Sequence, residues 1–348
     1  MTLSLFSRKP KLQPPPQTKT QAVPAARRGA APVTVFQPAE KPTPEADPLK
    51  RLLQQERFGY VVRHHRDLGG APALGAVLQA AIEAIDDRFA LVPEGYVTLP
   101  KTVNDYPGCP EEDIETEAFL LARLCVTHEQ YQKFVDDGGY ANLDLWPADI
   151  LPHLVDFVDQ TGQAAPRYWR SGRHDRRLSD HPVVGICYYE AAAYAKWAGY
   201  RLPTNAQWQM AASWRIRSVA QVLRRYPWGD ALDTGKCNVW ASRIGGTAPV
   251  TAYANGAAPN GVLQLIGNVW EWTESDFEVT DDQGRPLVGD MLMKEVRGGA
   301  FDTYFPSQAT SSFRTGLAAL VRAHNVGFRY VVAPGADEGH PGKEADAR

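Results

Sequence analysis

The sequence predicts an α+β fold, rich in loops, with short strands and a few helices. Three observations predict it. The 348 residues include 29 glycines, 27 prolines and 9 tryptophans, a composition that implies many turns anchored by aromatic side chains. Helical periodicity is confined to short stretches with their own start and stop signals. Strand-like runs are short and separated by long loops, with no internal repeat and no sustained heptad.

Residues 1–47 are proline-rich and carry seven Lys/Arg against three Asp/Glu, so a disordered tail is expected. Its PPP at 14–16 could dock in an aromatic groove of a partner protein, although a solvated leader explains it as well. Residues 48–87 read as a helical arm. Asp47 supplies a capping oxygen and Pro48 the first helical position. Leu49, Leu52, Leu53, Phe58, Val61 and Val62 form one stripe, stopped by Gly69-Gly70, and a second helix runs from Pro72 to about Asp87. The arm either packs on the rest of the chain or reaches a partner. His64 and His65 point about 100° apart on a helix, a poor arrangement for sharing a metal.

Residues 88–334 form the main domain, and 335–348 a second tail. FALVPEGYVTLP reads as a strand entering a turn at Pro93-Glu94-Gly95, and ETEAFLLARLCV as another strand. Thr127 and Gln130 form a capping box that opens a helix to about Asp137, ended by Gly138-Gly139. Residues 188–199 form a helix with Gly199 at its end, and Thr204 with Gln207 caps another through Trp208 to about Ile216.

Hydrophobic residues make up 44% and charged residues 22%, ordinary for a globular chain. A net charge of −3 gives no global electrostatic case for nucleic acid or an anionic membrane. The longest apolar stretch, near Val183–Ala195, is broken by Glu190, so no membrane span is expected. The N-terminus lacks the apolar core of a secretory leader, and a cytoplasmic location is the default. Cys109, Cys125, Cys187 and Cys237 form no C-x-x-C pair and read as reduced, buried thiols.

The ordered set HPVVGICYYEAAAYAKWAGYRLPTNAQWQMAA, YPWGD, CNVW, GGTAPV, APNGVLQLIGNVWEWTES, VRGGAFD and NVGFRYV resembles the formylglycine-generating enzyme (sulfatase-modifying factor) family. The resemblance covers roughly 88–334 and implies that family's variant of the C-type lectin fold. It also implies a test of chemistry. Enzymes of the family that oxidise cysteine to an aldehyde hold copper on two thiolates shortly after the RGGS segment, a soft metal on soft ligands. Here those positions fall on Thr303 and about Gln308, and no cysteine follows Cys237. That reaction, and copper, are not expected. A second branch makes carbon–sulfur bonds with a non-haem iron held largely by an extra helical domain, for which the region before 88 is too short.

The resemblance further implies structural calcium. One site would use Gln264, Gly267, Val269 and Glu271; the other Asn238, Val239, Ser242 and Ile244. Only Glu271 offers a carboxylate, and the alternative is that it caps a turn.

The segment Phe301–Val326 would form the ligand-facing surface. Trp270, Asp302, Thr303, Tyr304, Phe305, Arg314 and His324 are its candidate ligand-binding residues, suited to a peptide, a protein or a small molecule. Arg314 could instead be a buried salt bridge, and His324 a plain exposed loop residue. Between Phe301 and Gly327 only Gln308 is Lys, Glu, Gln, Met or Trp. The same fold is in some bacteria and phages the target of retroelements that diversify adenine-containing codons in this segment, and the bias is in that direction. The expected function is a non-catalytic binding module; the alternative is a metal-dependent oxidoreductase with non-cysteine ligands. The discriminator is whether two or more His, Asp, Glu or Cys side chains converge beside Trp270.

Overall fold

The computed structural model describes residues 36–40, 45, 47–68, 73–100, 111–213, 224–278 and 291–332. The expected tails therefore lie largely outside the described residues, as do Cys109 and the end of the helix expected to reach Ile216. The fold is α+β. Among the described residues no helix is long and apolar enough to cross a membrane.

The arm comprises α1 (Pro48–Gln54), α2 (Phe58–His64) and α3 (Leu74–Arg88). Asp47 caps α1, its Oδ1 accepting the Leu49 amide at 3.0 Å. The single stripe expected over 49–62 is two helices. Glu56 takes a left-handed φ of 60° and breaks the chain between them. Its carboxylate is held there by Arg88, by Lys133 Nζ at 2.7 Å and by Gln130 Nε2 at 2.9 Å. The apolar faces of the arm (Leu49, Leu52, Phe58, Val61, Val77, Ala81 and Ile85) join one core with Tyr194, Tyr200 and Tyr330 of the main domain. Burial of each large apolar side chain contributes about 1.5–3 kcal/mol. The arm thus packs on its own chain. His64 and His65 do not meet at a common ligand: the first pairs with Asp67 and the second bonds the Val62 carbonyl.

Two small sheets come next. Strand β1 (Phe89–Val92) pairs antiparallel with β4 (Phe119–Ala122), which also carries β9 (Val331–Val332). The β2 (Gly95–Pro100) and β3 (Glu111–Thr116) strands form a separate hairpin. The run ETEAFLLARLCV is thus divided between two strands. Its first residues end β3 opposite Gly95, and the chain then crosses at Glu117-Ala118 to the other sheet.

Helix α4 (His128–Asp136) has the expected capping box. Helix α5 (Tyr188–Ala198) ends at Gly199 in the left-handed conformation, φ 86°. A Cβ at Gly199 would lie 2.0 Å from the Tyr60 amide nitrogen, so this helix end is also the seat of α2. Helix α6 (Asn205–Ser213) opens with Thr204 and Gln207 bonded reciprocally.

The third sheet has the order β7-β6-β5-β8: β5 (Trp270–Asp276), β6 (Met293–Arg297), β7 (Arg314–Ala318) and the parallel β8 (Val326–Gly327). Alternation in GNVWEW does not divide core from solvent, because both faces of β5 are covered. Trp208 of α6 donates to Glu271 at 2.8 Å on one side, and Trp272 packs against Tyr188 of α5 on the other. This central sheet carries the C-terminal segment outward.

Candidate functional site

Strand β6 ends in Gly298-Gly299, both at positive φ (95° and 79°). A Cβ on Gly298 would meet the Leu265 carbonyl oxygen at 2.6 Å, so this turn requires glycine. Thr303 fixes the next turn. Its Oγ1 accepts the Ala300 amide at 2.8 Å, and its own amide bonds the Ala300 carbonyl at 2.9 Å. Thr303 is buried and faces inward, so it shapes the loop and does not belong to an exposed ligand surface.

Between these turns Asp302 projects to the surface. His324 Nε2 lies 3.0 Å from its Oδ2, and Asn325 Nδ2 donates to both oxygens at 3.0 and 3.2 Å. The backbone amide of Trp270 donates to the Asn325 carbonyl at 2.9 Å, which sets this cluster beside the first residue of β5. The half-buried Trp270 ring packs on Phe313 at 6.0 Å between centroids. Asp302 and His324 thus meet on loops next to the start of β5, while the Trp270 ring itself packs on Phe313.

Tyr304 and Phe305 stand out from the loop, 65% and 58% exposed. Their rings meet edge to face at 5.2 Å, and Trp240, itself 58% exposed, contacts Tyr304 at 6.1 Å. Sequence reading missed Trp240 and Asn325. A signal for Trp240 was available, since the tryptophan of CNVW is not needed by a strand or helix pattern.

Arg314 is not part of this surface. It pairs with the fully buried Glu295 at 2.9 Å and lies over the Phe277 ring. Glu295 also receives Arg297 Nη1 at 2.9 Å and Asn205 Nδ2 at 2.9 Å, so the group is an interior network that ties β6 and β7 to α6. This is the buried salt bridge that the sequence left open as the alternative.

Most of the side chains that the resemblance implies for calcium are engaged with other groups of the protein. Both Glu271 oxygens are committed: Arg329 donates from Nε at 2.7 Å and from Nη2 at 2.6 Å, and Trp208 adds a third bond. Gln264 presents its amide nitrogen to the Pro249 and Ala252 carbonyls at 2.8 and 3.0 Å, while its Oε1 accepts from Asn268. The Gly267 carbonyl accepts the Val269 amide. In the other set, Asn238 donates to Gly246 and Asn268, and Ser242 is spent on the Val239 amide and the Cys237 carbonyl. Calcium takes six to eight oxygens, usually with carboxylates among them; neither set supplies an uncommitted carboxylate, while Asn238 Oδ1 is buried and, among the described residues, without a hydrogen-bond partner. Among the described residues no group of three or more His, Cys, Asp or Glu side chains could hold a metal ion.

The described cysteines are buried and free. Burial pushes all three thiols up, Cys237 to about 12, with the neighbouring Glu271 adding to the effect at Cys125 and Glu190 at Cys187. A thiol held protonated is a poor nucleophile and a poor metal ligand.

The model of the sulfatase-modifying factor enzyme 1-like domain matches residues 78–334. Hercynine oxygenase of Mycobacterium tuberculosis is 38% identical over 224 residues, 59% of this chain and 50% of that protein. Formylglycine-generating enzyme of the same organism is 34% identical over 214 residues, 49% of this chain and 69% of that protein. The chain spans about half the length of the hercynine oxygenases it matches. Among solved structures, PvdO from Pseudomonas aeruginosa aligns with a TM-score of 0.46 and 20% identity, over 70% of this chain and 93% of that one.

Proposed function

The chain belongs to the family of sulfatase-modifying factor enzyme 1-like domains, and from that premise we propose that it is a non-catalytic binding module. Its C-terminal face takes a peptide or a segment of a protein partner. The observation that carries this reading is the cluster of three exposed rings in which Tyr304 touches both Trp240 and Phe305. Large aromatic side chains lose little conformational freedom on binding and dominate the energetics of interfaces. The neighbouring Asp302–His324–Asn325 cluster supplies polar contacts at the rim. The reading also accommodates diversification of 301–326, because Tyr304, Phe305 and His324 are exposed positions whose replacement leaves the core intact.

The experiment is selection of peptides from a random display library against the protein, followed by titration of the selected peptides. Tyr304→Ala and Phe305→Ala are expected to weaken binding by about tenfold or more each, as interface anchors do. Unchanged affinity in both variants would reject the face.

A second reading, a metal-dependent oxidoreductase, is favoured by the meeting of Asp302 with His324 and by the similarity to hercynine oxygenase. Two side chains fall short of the two histidines and one carboxylate that commonly hold a non-haem iron. Oxygen uptake by the protein on addition of ferrous iron, abolished by Asp302→Ala, would support this reading over the first.

A further inference from the structure

We propose that the segment received by the aromatic face is acidic, an Asp or Glu side chain set among apolar residues, and that the Arg243 guanidinium takes its carboxylate. This rests on that face being a binding surface, and it names the chemistry of the partner.

The face is built on two loops. One exposes Trp240 and, 51% exposed, Ile244; the other exposes Tyr304 and Phe305. The Trp240 amide donates to the Thr303 carbonyl at 3.3 Å, which ties the loops together. Apolar side chains exposed in such a group mark an interaction surface. By themselves they do not select among partners, whereas charge does. Residues 239–246 and 301–305 carry two charged side chains, Arg243 and Asp302. The Asp302 carboxylate is engaged by His324 and by Asn325. Arg243 is exposed, and among the described residues its guanidinium has neither an ion pair nor a hydrogen bond. The charge that these loops leave open to a partner is thus positive.

The backbone gives an independent sign. Trp240–Ser242 is one turn of 3-10 helix, closed by the Arg243 amide on the Trp240 carbonyl at 3.1 Å. Ser242 Oγ pins the turn, accepting the Val239 amide at 3.1 Å and donating to the Cys237 carbonyl at 2.8 Å. Arg243 ends it in the left-handed conformation, φ 59°. Glycine adopts that conformation freely, and a side chain there is strained. Strain of this kind gathers at functional sites. The pinned turn holds Arg243 one turn from Trp240, so an ordered cation accompanies the exposed ring. A guanidinium accepts a carboxylate on two parallel N–H donors, and apolar neighbours of that carboxylate match Trp240, Ile244, Tyr304 and Phe305.

The test runs a random peptide display library against the full chain and against Arg243→Gly and Arg243→Glu in parallel. Wild-type binders are expected to be enriched in Asp and Glu beside apolar residues. Exchanging the acidic residue of a selected peptide for its amide should weaken binding about tenfold, the loss of one charged hydrogen-bonded pair. Arg243→Gly relieves the left-handed strain and removes the guanidinium, so it should unfold at no lower temperature than the wild type and select peptides without the acidic enrichment. Arg243→Glu should select Lys and Arg instead. Tyr304→Ala should weaken acidic peptides and their amide analogues alike. Wild-type binders that lack acidic enrichment yet lose affinity in Tyr304→Ala would overturn the acidic partner and leave the aromatic face standing. Binders indifferent to Tyr304→Ala, or no binders at all, would overturn both. Acidic enrichment that persists in Arg243→Gly would overturn the role of Arg243.

Discussion

The buried carboxylate of Glu271 takes two hydrogen bonds from the guanidinium of Arg329, 2.7 Å from Nε and 2.6 Å from Nη2. This pair joins the GNVWEW and GFR segments. Arg329 also holds the Ala122 carbonyl at 3.1 Å and the Leu263 carbonyl at 2.9 Å, so it gathers β4, β5 and the loop before β5 around one buried cation. Removal of one partner strands the other charge in the interior. Arg329→Met is expected to cost about 3–5 kcal/mol in denaturant unfolding. Since the Glu271 oxygens serve arginine, the unfolding midpoint of the wild type should be the same in excess calcium and in excess chelator. A calcium-dependent rise would show that the carboxylate has another partner.

Gly199 gives a sharper test of how the arm is held. Gly199→Ala puts a side chain at φ 86° and drives its Cβ to 2.0 Å from the Tyr60 amide nitrogen. The strain of the left-handed conformation costs about 1 kcal/mol, and the clash adds to it. Gly138→Ala is the control: its φ is 79°, but the space around it is open. Limited proteolysis should cut near α2 in Gly199→Ala and not in Gly138→Ala.

Two buried imidazoles set the response to acid. Burial, with His174 and His181 nearby, pushes His128 down to about 3; burial, with Arg173 nearby, pushes His174 down to about 4. Both are neutral in the fold, and Trp169 Nε1 donates to His128 Nδ1 at 2.9 Å. In the unfolded chain both take up protons near 6.5, the ordinary value. The folded state then binds fewer protons than the unfolded one. Their contribution to stability is whole above about 6.5 and is lost as pH falls toward about 4 and then 3. Urea midpoints should decline over that window, and His128→Gln should flatten the decline.

The thiols should be silent in the folded protein. Cys125, Cys187 and Cys237 are buried and shifted up. At pH 8 no more than one of the four cysteines, Cys109, should react with a disulfide reagent before denaturant is added. Rapid reaction of two or more would contradict the buried placement.

Local signals wrote much of this fold openly. The caps at Asp47, Thr127 and Thr204 and the glycine stop at 199 are short-range chemistry, and each lies where the sequence puts it. What failed was long-range. The break at Glu56 has no glycine to announce it, because the strained residue is held by Arg88 and Lys133 from other elements. The Glu271 carboxylate looked like a metal ligand because its arginine stands 58 residues away. Asp302 and His324 were each legible as polar loop residues, but their meeting depends on β8 lying parallel to β5, which no local pattern encodes. Arg314 shows the same limit, since its partner Glu295 is across a strand pair.

The most direct test of the binding-module account is the affinity of library-selected peptides for the wild type and for a Trp240→Ala/Tyr304→Ala/Phe305→Ala variant. The three rings are exposed, so the variant should unfold within about 0.5 kcal/mol per substitution of the wild type. The account predicts that selection yields binders and that the variant loses nearly all affinity for them. Selected peptides that bind both proteins equally, or a wild type that yields no binders, would contradict it.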